Sequence, residues 1–209
     1  WSFTQVGAFL ALWVIGYGIV QAGAPAQETS LNAVESGGDS SHLYLYLVYR
    51  VALGVALLLV YFGIGRGPLG TYEPQLFTIA MHLYMATAIV MLIAHLRQAG
   101  DRDKLGQLAM FLDILLITVM MHASGGVQSG LGMLIAVSIA LGSLGLVGHT
   151  ALLFAALGSL AVLTERIYSH MVNAFPETAY MQAGLLGVSF FAMALLAHRL
   201  GRRAVDVLL

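Results

Sequence analysis

Seven apolar stretches, each close to the length of a bilayer crossing, fill almost the whole chain. They cover residues 4–21, 43–63, 77–95, 105–123, 131–146, 150–168 and 181–198. A helix needs about 20 residues to cross ~30 Å of hydrocarbon at ~1.5 Å per residue. Nothing is left over for a folded soluble domain. Any chemistry must sit inside the bundle, in short loops, or on something attached at an end. The expected fold class is all-α: a polytopic transmembrane helical bundle, with one N-terminal helix ahead of a six-helix block.

Charged residues are only 9% of the chain, against about 25% in soluble domains, which agrees with a membrane protein. There is no cysteine, so disulfides, thiolate metal sites and a cysteine nucleophile are excluded. The single lysine, Lys104, lies in a polar loop. A retinal Schiff base needs a lysine deep within a helix, so a rhodopsin is excluded.

Basic residues near helix ends mark the cytoplasmic side of a membrane. Counted alternately from the first linker, one side holds Arg50, Arg97, Arg102, Lys104, Arg199, Arg202 and Arg203. The other holds Arg66 and Arg166. This bias predicts a cytoplasmic C-terminus and outer loops at 65–75, 124–130 and 169–178. Seven crossings then place residue 1 outside. A competing reading takes Ala22-Gly23-Ala24 as a leader-peptide cleavage site, which would invert every later loop against the arginine count. With Trp in first position, the native N-terminus is expected to lie upstream. Residues 24–41 are rich in Ala, Ser, Gly and Glu, with Pro25 near their start, and read as a flexible linker. The expected organisation is an extra helix at 1–23, a linker at 24–41, a six-helix domain at 42–203, and the start of a cytoplasmic segment at 204–209.

Ionisable residues within a membrane helix are costly and face protein, water or a partner. Asp113, in Phe111-Leu112-Asp113-Ile114-Leu115, has two open readings. It is a polar latch or signal-responsive group inside the bundle, or it lies near the cytoplasmic headgroups and bonds to backbone, Arg102 or Lys104. Glu165 and Arg166 sit at the outer end of the sixth stretch. Neighbours in sequence do not face each other on a helix, so they partner other groups, as surface anchors or as contacts for an external ligand. Seven histidines raise the question of haem or metal. His82 and His95 lie ~20 Å apart along one helix, and His122, His149, His170 and His198 lie near helix ends. Neither clustered carboxylates nor a His-Glu-x-x-His spacing is present, so no metal site is expected.

The most distinctive loop is Ser124-Gly125-Gly126-Val127-Gln128-Ser129-Gly130-Leu131-Gly132, a tight glycine-rich hairpin. Its glycines permit positive φ and close backbone approach. An intramembrane serine protease of the rhomboid type would want Gly-x-Ser-Gly. Val127 stands where that pattern needs glycine, so Ser129 reads as part of a turn or contact surface, and no catalytic residue is expected. Gly125, Gly126, Gln128, Ser129 and Gly130, with Asp113, Glu165 and Arg166, are the candidate sensing residues. Small residues recur in the last three stretches, among them Ala136, Ser138, Gly142, Ser143, Ala155, Gly158, Ser159, Gly184 and Gly187. Such faces let helices pack closely and suit dimerisation or docking of a partner helix.

Ordered pieces of residues 41–203 resemble the N-terminal membrane region of the PilS-type sensor histidine kinases of type IV pilus regulation. They are Tyr44-Leu45-Tyr46-Leu47-Val48-Tyr49-Arg50, Phe111-Leu112-Asp113-Ile114-Leu115-Leu116, the Gly125-Gly126-Val127-Gln128-Ser129-Gly130 loop, and Tyr180-Met181-Gln182-Ala183-Gly184 opening the last helix. The resemblance implies a bacterial inner-membrane sensor module. Its phosphoacceptor and ATP-binding domains, with ATP and Mg²⁺, would lie beyond residue 209. It also implies partners: the lipid bilayer, a pilin transmembrane helix as ligand, a second copy in a homodimer, and a response regulator reached through the cytoplasmic part. No nucleic-acid partner is expected. The first helix is not part of the family pattern. Two other readings stay open, an accessory subunit of a larger membrane complex and a small transporter.

Overall fold

The computed structural model describes residues 32–63, 69–98, 101–143, 148–172 and 180–206. The expected first crossing, residues 4–21, lies outside the described residues. Six α-helices follow in order: α1 (Asn32–Gly63), α2 (Pro74–Leu96), α3 (Arg102–Ala123), α4 (Gly132–Ser143), α5 (Gly148–Met171) and α6 (Tyr180–Asp206), with one 3₁₀ turn (Gly126–Ser129) between α3 and α4. Apart from residues 32–37 of α1, they belong to a compact unit running from Gly38 to Leu209, and all contacts below lie within it. No strand occurs among the described residues, so the all-α bundle is what forms.

Local sequence sets the helix ends. Pro74 opens α2 at its first turn, where a missing N–H costs nothing and φ is already helical. Asp101 caps α3 by accepting from the Asp103 backbone N–H at 3.2 Å, the usual service of an N-cap carboxylate. Ser124 closes α3, and Gly125 follows in the left-handed region at φ 100°.

One expected boundary changes. α1 begins at Asn32, so the second part of the supposed linker is helical. No proline interrupts residues 32–41, and a helix already formed in the membrane span propagates one hydrogen bond per added residue. Of the fifth stretch, expected to cross at 131–146, the described residues hold α4, whose 12 residues make about 18 Å; residues 144–147 lie outside the described residues. The described residues therefore hold five helices long and apolar enough to span a membrane, plus α4.

α3 is the central helix. Of its most apolar window 72% is buried, against 28–44% in the other four spans. Leu59, Ile79, Val90, Leu160, Met181 and Leu185 point outward and are each at least 60% exposed, the apolar surface that hydrocarbon requires. Inside, glycine allows close approach. A Cβ on Gly132 would strike Leu186, and one on Gly142 would strike Met110. Ser159 Oγ donates to the Gly187 carbonyl at 3.0 Å, joining α5 to α6 through a small-residue face of the type that replaces the hydrophobic effect inside membranes. α5 and α6 share the most extensive close-backbone interface, followed by α2 with α3 and α4 with α6. α1 packs along α2 through side chains: Tyr44 stacks on His95, a Cβ on Gly54 would meet Met85, and Tyr61 OH lies 3.1 Å from Thr78 Oγ1.

Candidate functional site

The most buried polar centre joins α1 to α3. Arg50 Nε donates to Asp113 Oδ1 at 2.6 Å, and Tyr46 OH donates to Asp113 Oδ2 at 2.7 Å. Both charged side chains are 0% exposed. Tyr46 and Arg50 are four residues apart on α1, so helical geometry places them on one face, and they grip the two carboxylate oxygens separately. α2 completes the site. Arg50 Nη1 donates to Met91 Sδ at 2.9 Å, and the guanidinium carbon lies 5.6 Å from the Tyr84 ring centroid, within cation–π range. Ser138 of α4 lies beside Tyr49 and Asp113.

Asp113 thus stands near the middle of α3, bonded to neither headgroup-side backbone nor Arg102 nor Lys104. Lys104 pairs instead with Asp101 at 3.6 Å on the surface. Of the two sequence readings, the placement inside the bundle is the one observed. Arg50 is the residue that sequence reasoning misplaced. Counted as a flanking cytoplasmic charge, it is buried inside the span His42–Gly63. The available signal was a lone arginine about two turns into an apolar run, with Tyr46 one turn before it and an aspartate similarly placed in another helix. A buried charge without a partner is prohibitively costly, so each called for the other.

A second polar cluster lies at the glycine-loop end of the bundle. His122 Nδ1 is 3.0 Å from Glu165 Oε1, and Ser169 Oγ donates to the same oxygen at 2.7 Å. Tyr72 and Tyr168 approach the imidazole edge-on, with ring centroids 5.8 and 5.5 Å away. Glu165 and Arg166 are 1% and 2% exposed, so they are not surface anchors. Helical rotation sends them in different directions: Glu165 toward α3, and Arg166 over the Tyr180 ring of α6 at 5.0 Å. Ser169, one turn after Glu165, was the sequence signal for this cluster. Ser169 and Glu165 both meet His122 at Nδ1, whereas a catalytic triad engages the two ring nitrogens separately.

The glycine loop folds onto this end. Gly125, Gly126 and Gly130 take φ of 100°, 77° and 77°. The α1–α2 loop closes over the end of α3: the Gly70 N–H donates to Ser124 Oγ at 2.9 Å, Thr71 Oγ1 donates to the Ser124 carbonyl at 3.2 Å, and the Tyr72 and Glu73 N–H groups both donate to the Ala123 carbonyl. Gln128 and Gly130 are exposed, and Ser129 Oγ accepts from the Leu131 N–H at 3.4 Å. The candidate residues therefore divide. Asp113 belongs to the latch, Glu165 and Arg166 to the buried end cluster and its α5–α6 contact, and Gly125, Gly126, Gln128, Ser129 and Gly130 to the loop above. Among the described residues no group of three or more His, Cys, Asp or Glu could hold a metal ion.

Comparison with known proteins adds an independent line. Residues 37–206 match the family model described as the PilS-like transmembrane domain. The sensor protein kinase PilS of Pseudomonas aeruginosa is 32% identical over 163 residues, which cover 77% of this chain and 30% of that protein. The chain thus spans less than a third of the length of this curated relative. No solved structure matches it.

Proposed function

The chain belongs to the PilS-like transmembrane domain family, and on that premise we propose that it is the membrane sensing region of a two-component sensor histidine kinase controlling type IV pilus genes. The observation that carries the mechanism is the latch. α1 packs along α2 through Tyr44 and Tyr61 and is tied to the central helix by Tyr46 and Arg50 on Asp113. A polar centre that ties two helices together has two natural states, latched and released. A ligand that prefers one state shifts the balance by its differential affinity. A membrane-embedded ligand such as a pilin helix reaches the exposed apolar faces from the lipid. The glycine loop and the Glu165–Arg166 region lie at the end proposed to face outward. α6, packed along α5 through Ser159 and Gly187, carries the change toward residue 206.

On this reading the protein resides in the bacterial inner membrane with its C-terminus in the cytoplasm and acts as a homodimer. The kinase portion, with its ATP and Mg²⁺ and its response regulator, belongs to the parent outside residues 1–209. The test is signalling output of the intact gene product, read as autophosphorylation in membranes. Asp113→Asn and Arg50→Met are expected to shift basal output in the same direction, because both release α1. Output equal to the parent in both variants, with normal membrane levels, overturns the latch mechanism. A native product without a kinase portion overturns the sensor-kinase reading and leaves an accessory membrane subunit.

A further inference from the structure

Four buried hydrogen-bonding atoms around the latch have no hydrogen-bond partner among the described residues: Tyr49 OH, Arg50 Nη2, Tyr84 OH and Ser138 Oγ. They come from α1, α2 and α4 and surround the Asp113 carboxylate of α3. The guanidinium nitrogen carries two N–H groups, and each hydroxyl carries one more donor. The strong acceptors close by are already engaged: Oδ1 by Arg50 Nε, Oδ2 by Tyr46, and Met91 Sδ by Arg50 Nη1. Each Asp113 oxygen keeps a further lone pair, but none of the four atoms meets one in hydrogen-bonding geometry. A buried donor left without a partner costs about 1–3 kcal/mol. A bundle core surrounded by hydrocarbon cannot lower that cost through bulk solvent.

We propose that this donor-rich centre is a binding site for ordered water at mid-depth in the bundle, held by Arg50 Nη2, Tyr84 OH, Tyr49 OH and Ser138 Oγ. Water offers lone pairs to these unpartnered donors and takes about three hydrogen bonds when buried in a polar site. It leaves the neutral Arg50–Asp113 pair uncharged overall, whereas a bound anion would add a net charge to the membrane interior. The consequence concerns the latch itself. A water beside the guanidinium allows the ion pair to pass from direct to water-mediated contact without either charge being stripped bare in hydrocarbon. The inference rests on the donors and their burial, and holds whether or not the bundle senses a ligand.

The test is X-ray pulse radiolysis of the intact native protein in lipid nanodiscs prepared in ¹⁸O-water, read by peptide mass spectrometry. Radicals born at bound water oxidise the side chains it touches. Tyr84 is expected to gain ¹⁸O although it is fully buried, while Phe154 and Phe190, equally buried rings, gain none. Tyr49→Phe combined with Ser138→Ala removes two of the donors and leaves Tyr46, Arg50 and Asp113 in place. It is expected to bring Tyr84 labelling down to the Phe154 level. Labelling of Tyr84 no greater than that of Phe154 in the parent overturns the site without recourse to any variant. Undiminished Tyr84 labelling in a folded double variant overturns the assignment to these four groups.

Discussion

Arg50 Nε and Asp113 Oδ1 stand 2.6 Å apart with both side chains fully buried, a cation of one membrane helix neutralised by the anion of another. Desolvating two charges costs as much as their attraction returns, so such a pair adds little net stability. Removing one partner leaves a bare charge, at about 3–5 kcal/mol. Arg50→Met and Asp113→Leu are each expected to destabilise by that amount. The double variant is expected to recover most of the loss, because no charge is left uncompensated. Reversible unfolding in mixed micelles, run as a double-mutant cycle, gives the coupling directly. Losses that simply add would show that the two residues act apart.

Tyr46 occupies the other carboxylate oxygen, and Tyr46→Phe removes only the hydroxyl. Asp113 Oδ2 then lacks its donor in a buried site, a cost of about 1–3 kcal/mol. The same assay reads it. Because Tyr46 and Arg50 share one acceptor group, the loss is expected to shrink when Tyr46→Phe is placed on the Asp113→Leu background.

Much of this architecture is legible in the sequence because a bilayer leaves few choices. Long apolar runs must be helices, and their number and order follow from counting. What was not legible is which polar residues point inward. Arg50 lies close enough to the start of its run to pass for a flanking charge. Glu165 and Arg166 look like an end pair, yet both are buried and diverge to different helices.

Gly130 and Gly184 separate backbone strain from steric crowding. A Cβ on either meets no atom within 4 Å, but Gly130 has φ 77° whereas Gly184 lies within α6. Gly130→Ala is expected to cost about 1–2 kcal/mol, the penalty of left-handed backbone for a residue with a Cβ. Gly184→Ala is expected to be neutral, or stabilising by about 0.5–1 kcal/mol through helix propensity. Thermal midpoints of the two variants in one detergent check this. Equal shifts would mean that the loop does not hold its left-handed conformation.

Glu165 accepts from both His122 and Ser169, so Glu165→Ala strands two buried polar side chains, whereas Glu165→Gln keeps an acceptor oxygen in place. The alanine variant is expected to lose about 1–3 kcal/mol and the glutamine variant clearly less. Hydrogen exchange of amides near Ala123 and in the 69–73 segment is the sharper readout. The Tyr72 and Glu73 amides bond the last carbonyl of α3, and His122 holds that end against α5. Faster exchange confined to this end in Glu165→Ala marks the cluster as the clasp of the loop. Uniform acceleration throughout the bundle would assign it a global role instead.

Orientation turns on which arginines count. Arg50 and Arg166 are both buried within spans and carry no topological information. Without them, Arg97, Arg102, Lys104, Arg199, Arg202 and Arg203 stand against Arg66 alone, a stronger bias than the raw count and in the same direction. The chain has no cysteine, so single cysteines serve as clean reporters. Lys104 is 68% exposed at one end, and Gln128 is exposed at the other. In intact cells, a membrane-impermeant maleimide is expected to label Gln128→Cys and to spare Lys104→Cys until the inner membrane is opened. The reverse pattern would place the glycine loop in the cytoplasm and remove it, together with the Glu165 cluster beneath it, from any contact with an external ligand.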